Sequence, residues 1–586
     1  MSGLTRGEVY FKLHKHAMSD RDPELALAFA EKALKEDSNN YDYAFAVLSA
    51  RLVSESAPHL STVLDDVNRA FLCDPTRREI YEFIVPLLFQ NKLPEALSWI
   101  ERSLIAFPED PFFLNIAGAY YMNNNNDTRT ARKYFQKCLA VNPLSPEYHY
   151  NCGLTYSHNL DFMNDLEDKS IWHFQMALCY KPDWPEAKQS LVGAFTKQSR
   201  FKEALTITSE GDVVIDALQL ECRWRSGDMT NIDYDEVISR VTDEKGVLGS
   251  ILKNQTGYFE AICDYERAEK CYRHIYDNRN DYFVKDSFMW TDCALGTGHF
   301  LCKLGNWEEG APKILESEIK NHPQKRAYPL WEGEETDHLV ILNNDLGNGD
   351  QMFYIRYVPL VATKARRITL VVAPRIKHMY SNIDPKFEVT TEIPKQASAW
   401  IECSYLIKYF GPVPMWDFLP APAPPTRKTG KALVHLSSSK RNPLLNYRRD
   451  IPFDVARPLL DSNVYTWVSV AKQNGDHPNL TDLSDTVDKG TDAFIDTMKV
   501  LQDVDIVVTC DTFMVHLAGL MKRPTILIIT PLTEFRWGSH VYEYKWYPTV
   551  EYVRQAKWGD WSGMGDILLD KIQSYATLSQ EDLNSA

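Results

Sequence analysis

Small residues recur at a fixed distance from the end of successive helical segments in the first third of this chain. That recurrence limits the fold more than any other feature. The segments ALAFAEKALKEDSNN (26–40), VNRAFLCDP (67–75), ALSWIERSLIAFP (96–108), ARKYFQKCLAVNP (131–143) and WHFQMALCYKP (172–182) each read as a helix closed by polar residues and then Pro or Ser. Five residues before the closing residue stand Ala33, Ala70, Ser103, Cys138 and Ala177 in turn. The closing prolines Pro75, Pro108, Pro143 and Pro182 lie 33 to 39 residues apart. A small residue there lets two helices approach, while the aromatics upstream fill the groove beside them. A unit of that length cannot bury its apolar face alone, so stacked helical hairpins are expected.

The pattern resembles the tetratricopeptide repeat family, clearly over about 20–200 and in degenerate form beyond. There, FKEAL (201–205), YERAEKCY (265–272) and NWEEG (306–310) look like starts of further second helices. The resemblance implies a solenoid whose concave face docks a peptide or a partner protein. A spacer or a dimerisation arm is the plain alternative, and homo-oligomerisation stays open.

At 586 residues the chain exceeds one hydrophobic core. Its 11 cysteines are scattered without CxxC pairs, which favours reduced thiols over a disulfide or zinc framework. No 18-residue apolar run predicts a membrane span, and the charged N-terminus lacks the apolar core of a signal peptide. A cytoplasmic location is the resulting expectation. Nearly all of the net charge of −16 falls before residue 336. That acidity argues against nonspecific nucleic-acid binding by the repeats. The near-neutral remainder carries a local basic cluster: Lys440, Arg441, Arg448 and Arg449.

After residue 330 the pattern changes. Strand-like runs occur at 338–342, 367–373, 431–436, 464–470, 505–509 and 525–530, with helical patterns between several of them. This is the signature of parallel α/β units. The stretch GPVPMWDFLPAPAPP (411–425) blocks both helix and central strand, so it should link two lobes facing a cleft. In DIVVTCDTFMVHLAG (505–519) an apolar strand is followed by polar residues and a helix start. Ligands bind at such strand ends, and a helix N-terminus suits phosphate, so an anionic small molecule, a nucleotide, is expected.

Several motifs then align in order. They are Trp331, Gly333 and Glu334; Gly347-Asn348-Gly349-Asp350; Arg356-Tyr357-Val358-Pro359-Leu360; SSSKRNPLLNYRRDIP (437–452); Asp511-Thr512 with His516-Leu517-Ala518-Gly519; and FRWGSHVYEYKWYPTVEYVRQAKWGDW (535–561). Together, over about 326–575, they resemble the glycosyltransferase domain of tetratricopeptide–glycosyltransferase fusions, related to the heptosyltransferases of glycosyltransferase family 9. The chain departs from that pattern at Asn348, where the family has Leu, and locally at His435, Cys510 and Phe513. These departures bear on which donor is preferred.

The resemblance implies an all-α tetratricopeptide solenoid (1–325) followed by a GT-B fold of two Rossmann-like lobes, an acceptor-side lobe (326–420) and a nucleotide-sugar lobe (421–586). It implies transfer of a sugar from a nucleotide diphosphate donor to a protein or glycan hydroxyl, with no cofactor and no metal. Asp350 would be the base that takes the acceptor proton; as a residue type it could equally cap a helix. Arg449 would hold the diphosphate, with Ser437, Ser438, Lys440 and Arg448 beside it, where a solvated basic loop is the plain reading. Asp511 and Thr512 would bind donor at the helix start with His516 nearby; a capping Asp over a structural His is the alternative. Gly349, Gln351 and Arg356 are candidate substrate contacts. Trp537, Trp546, Trp558 and Trp561 read as bracing more than as stacking platforms. Two other functions remain: a non-catalytic scaffold with a decayed transferase domain, and a DNA-base glycosyltransferase, which the acidic repeats disfavour.

Overall fold

The computed structural model describes residues 4–54, 59–124, 127–157, 164–241, 244–321, 328–380, 383, 386–415, 428–438, 447–473 and 475–577. The chain divides into two compact units, 1–194 and 195–586.

Among its described residues the first unit contains five helical hairpins. They are α1 (Arg6–Ser19) with α2 (Pro23–Glu36), α3 (Tyr41–Val53) with α4 (Leu60–Cys73), α5 (Arg78–Gln90) with α6 (Ala96–Ala106), α7 (Pro111–Asn124) with α8 (Thr128–Val141), and α9 (Pro146–Ser157) with α10 (Asn164–Tyr180). Every recurring small residue lies on the second helix of its pair: Ala33, Ala70, Ser103, Cys138 and Ala177 are all fully buried. The first helices supply matching clearances. A Cβ on Gly118 would stand 2.5 Å from the Phe135 ring, and one on Gly153 would stand 2.6 Å from Phe174. Each glycine therefore admits the aromatic ring of its partner helix, which holds the hairpin shut. The closing prolines fall in the turns between hairpins, where no helical N–H is needed. Many helices of this chain thus fit a tetratricopeptide solenoid.

The second unit opens with further hairpins. FKEAL begins a single helical turn, Phe201–Ala204, while YERAEKCY and NWEEG begin the helices Tyr265–Asp277 and Trp307–Asn321. The helices Phe288–Lys303 and Trp307–Asn321 touch backbone to backbone, since a Cβ on Gly298 would stand 2.7 Å from the Gly310 carbonyl oxygen. Helices give way to strands near the expected boundary at 325, but the compact units part earlier. Residues 195–321 pack with the sheets: Trp558 Nε1 donates to the Trp224 carbonyl at 2.7 Å, and a Cβ on Gly559 would meet Gly227 Cα at 2.7 Å.

Two wholly parallel sheets follow. The first joins β1 (Thr336–Asn343), β2 (Ala365–Val372), β3 (Phe387–Thr390) and β4 (Ala399–Glu402) in the order β3-β2-β1-β4. The second joins β5 (Lys431–His435), β6 (Thr466–Ser469), β7 (Leu480–Asp482), β8 (Ile506–Thr509), β9 (Thr525–Ile529) and β10 (Val550–Arg554) in the order β10-β9-β8-β5-β6-β7. Each order reverses direction once, between β1 and β4 and between β5 and β8, which is the doubly wound pattern with its ligand crevice at the reversal. The central strands β8 and β9 are buried along their whole length and apolar apart from one terminal threonine in each. Of the proline-rich stretch, 416–425 lies outside the described residues.

The buried rings make a direct test possible. Phe174→Ala should weaken the α9–α10 hairpin by about 3 kcal/mol. Hydrogen exchange on the full chain should show faster exchange in those two helices and unchanged exchange in β5 and β8. Unchanged exchange in α9 and α10 would mean that the ring does not hold the hairpin.

Candidate functional site

The carboxyl ends of β1 and β8 bring the candidate residues together. After β1, the chain turns at Gly347 into the helix Asn348–Tyr354, with Asp350 in its first turn. After β8, Thr512 caps the helix Phe513–Leu520, its Oγ1 accepting from the Met514 N–H at 3.4 Å. The two helices meet at Gly349, where a Cβ would stand 3.2 Å from His516 Cδ2 and 3.3 Å from Phe513 Cα. Glycine at 349 thus permits the close approach of the neighbouring helix, where the two sheet ends come into contact.

Asp350 does not cap its helix: the N-cap is Gly347 and no side chain caps the turn. Its Oδ1 accepts from Arg536 at 2.6 Å. Arg536 lies in the turn Phe535–Trp537 after β9, is 5% exposed, and sits 4.7 Å from the Phe353 ring centroid. Burial works against its charge, but Asp350, Tyr354 and Asp511 outweigh that and hold its pKa above the ordinary arginine value. Arg536 also pairs with Glu534, whose other oxygen pairs with Arg449. Arg449 Nε lies 3.8 Å from Asp511 Oδ2. Five alternating charges therefore run from one sheet end to the other: Asp350, Arg536, Glu534, Arg449 and Asp511.

The other candidate residues fall into two sets. Ser438 donates from its N–H and its hydroxyl to Asp450, both at 2.6 Å, so a half-buried carboxylate organises this turn. Burial raises the pKa of Asp450, against the opposing hydrogen bonds from Ser438. Ser437 is half-buried beside it, and Ser439 and Lys440 lie outside the described residues. Arg448 pairs with none of the five charges: its Nε donates to the Tyr447 hydroxyl at 2.8 Å, and it lines a cavity that Arg449 and Glu534 also line.

Three candidates are buried among neighbouring side chains. His516 is 2% exposed, hydrogen-bonds the Tyr547 hydroxyl at 2.9 Å, and stacks on Trp537 at 5.5 Å. Burial, reinforced by Arg536, Arg356 and Arg449, pushes its pKa well below the usual value, so it stays neutral. Gln351 is buried, with Nε2 donating to the Leu346 carbonyl at 2.7 Å, and so shapes the turn before Asp350. Among the described residues Arg356 pairs with no carboxylate: it donates to the carbonyls of Phe353 and Val413 at 2.7 and 3.1 Å and stacks on Phe353, Trp546 and Tyr547. Trp537, Trp546 and Trp558 are buried, and Trp558 braces the helix Val213–Arg225, not the C-terminal helix Met564–Thr577.

Sequence reasoning missed Glu534 and Arg536, although both stand in the EFRWG run. It also missed Lys303. This lysine, 3% exposed, pairs with Glu260 at 2.9 Å and donates to the carbonyls of Pro531 and Thr533 at 2.6 and 3.2 Å, anchoring the loop that carries Glu534. Beside that loop lies a cavity of about 480 Å³, walled by the helices of 221–303 and by Arg448, Arg449 and Glu534. Among the described residues no cluster of His, Cys, Asp or Glu could hold a metal ion, and no helix is long and apolar enough to cross a membrane.

No protein-family model matches the chain, and no curated protein matches it. Among solved structures it is similar to a tetratricopeptide repeat protein from Parabacteroides merdae, at 18% identity and TM-score 0.29, over 42% of this chain and 98% of that one. It is similar to YrrB, described as a TPR protein with an unusual peptide-binding site, at 21% identity and TM-score 0.26, over 30% and 88%. PilW, a type IV pilus biogenesis factor, matches at 13% identity and TM-score 0.27, over 39% and 98%. Likenesses of that size add nothing to the hairpins themselves.

Two outcomes are expected from these charges. Arg536→Met should lower stability by about 2 kcal/mol, because Asp350 and Glu534 are left without their shared cation. Asp350→Asn should lower it less, because Arg536 keeps Glu534; thermal unfolding of both variants compares them. Separately, burial pushes His435 from 6.5 down to about 4. The unfolded chain binds this proton below pH 6.5 while the folded chain refuses it until about pH 4, so stability falls as pH falls across that window. The slope is about 1.4 kcal/mol per pH unit for one such histidine. His435→Phe should flatten that limb in unfolding curves taken from pH 7 to 4.

Proposed function

We propose that this chain is a glycosyltransferase of the GT-B type, moving a sugar from a nucleotide diphosphate donor to an acceptor hydroxyl. The observation that carries this reading is the convergence of two doubly wound strand ends on one network holding Asp350, Arg449 and Asp511. Asp350 takes the acceptor proton as the hydroxyl oxygen attacks the anomeric carbon. The bond from that carbon to the diphosphate breaks, and its electron pair leaves with the phosphate oxygen. Arg449 and the helix start at Thr512 hold that developing charge. Ser437, Ser438 and Asp511 shape the donor seat, and no metal is required by these roles. The cavity walled by helices of 221–303 adjoins Arg449 and is of a size that suits a group of the acceptor. The repeats dock the protein or glycan that carries this group.

A second reading, a repeat-based binding protein without turnover, is favoured by one observation. Both Asp350 and Arg449 are engaged by neighbours, Arg536 and Glu534. The two readings separate experimentally. Incubation with ADP-, UDP-, GDP- and CDP-sugars should raise the melting temperature with one nucleotide class and release its diphosphate. Asp350→Asn should keep the thermal shift and lower turnover by a factor of about 100 or more. Turnover unchanged in that variant contradicts the assignment of the base. Binding without turnover in the unaltered protein favours the second reading.

A further inference from the structure

We propose that Glu534 is an internal counter-anion seated between Arg449 and Arg536, and that a diphosphate displaces it on binding. The inference rests on reading this site as a diphosphate site, and it adds the residue that sets donor affinity. One carboxylate bridges two guanidiniums here: one oxygen of Glu534 pairs with Arg449 and the other with Arg536. Two guanidiniums converging on one small anion is also how arginines grip a phosphate group.

Arg536 is held in place by groups other than Glu534, while Glu534 has room to leave. Arg536 is buried, pinned against Phe353 and tied to Asp350. Glu534 is 29% exposed in its side chain and lines the cavity of about 480 Å³, which gives it a place to swing into. Its backbone is extended, at φ −62° and ψ 156°, so the swing needs only side-chain rotation. Lys303 holds the preceding carbonyls of Pro531 and Thr533 and keeps the loop in place meanwhile.

Charge balance makes displacement necessary. With Glu534 seated, three carboxylates (Asp350, Glu534, Asp511) face two guanidiniums (Arg449, Arg536), and the set is negative. A dianion entering such a set meets net repulsion across a partly desolvated space. With Glu534 withdrawn, the remaining charges cancel and both guanidiniums present free N–H groups. An unused donor already exists there: among the described residues Arg536 Nε is buried without a hydrogen-bond partner.

The test is calorimetric titration of the full-length protein with sodium pyrophosphate at fixed ionic strength, alongside thermal unfolding. Glu534→Gln should bind pyrophosphate about ten-fold tighter than the unaltered protein, since the competitor and its charge are gone. It should also melt lower without ligand and gain more from added pyrophosphate, because two arginines are left facing each other. Glu534→Asp, too short to bridge both guanidiniums, should fall between the two and covers the case in which Glu534→Gln does not fold. Equal or weaker pyrophosphate affinity in the folded variants overturns the proposal. The transferase reading fails separately. Tighter pyrophosphate binding with no sugar turnover by the unaltered protein keeps the counter-anion and removes the transferase. Sugar turnover with donor KM unchanged in Glu534→Gln does the reverse.

Discussion

Arg536 is a buried guanidinium whose charge is met by carboxylates drawn from two sheets. It takes Asp350 from the end of β1 and Glu534 from the loop after β9, and Glu534 then takes Arg449. Removing one partner from such a set leaves an uncompensated charge, which is far costlier than losing an exposed pair. The positions of Asp350, Arg449 and Asp511 are therefore set jointly. Gly349 permits this distance, since a Cβ there would crowd His516 and the backbone of Phe513.

The helices after 195 contribute to the same site. Lys303 reaches from the helix Phe288–Lys303 to the carbonyls beside Glu534, and His299 stacks on Phe535 at 4.5 Å. The loop between β9 and β10 is thus held from the helical side and charged from the sheet side. An account of this site that ended at the strands would leave the loop unsupported.

The sequence carried the hairpins because their determinants are local: a small residue, a ring and a proline within one repeat. It also carried β1, β2, β5, β6, β8 and β9, whose apolar runs reflect burial on both faces. The unread strands, β3, β4, β7 and β10, are the sheet edges, short or interrupted by Glu and Asp, as in FEVT, LTD and VEYVR. Among the candidate site residues, Asp350, Arg449 and Asp511 come together, while His516, Gln351 and Arg356 are absorbed by packing. Nothing in the spacing of a histidine or an arginine tells whether an aromatic cage from residues 537–547 will enclose it. Glu534 and Arg536 were unreadable for the same reason: apart from each other, their partners Arg449 and Asp350 lie 85 and 186 residues away in the chain.

The central claim is that the two sheet ends form one seat for a diphosphate. The most direct measurement is a crystal structure of the protein with the nucleoside diphosphate selected by the donor panel. The account predicts phosphate density between Arg449, Arg536 and the N-terminus of the helix Phe513–Leu520, with Glu534 turned into the cavity. Well-ordered nucleotide bound elsewhere, with Glu534 still bridging the two arginines, would contradict it.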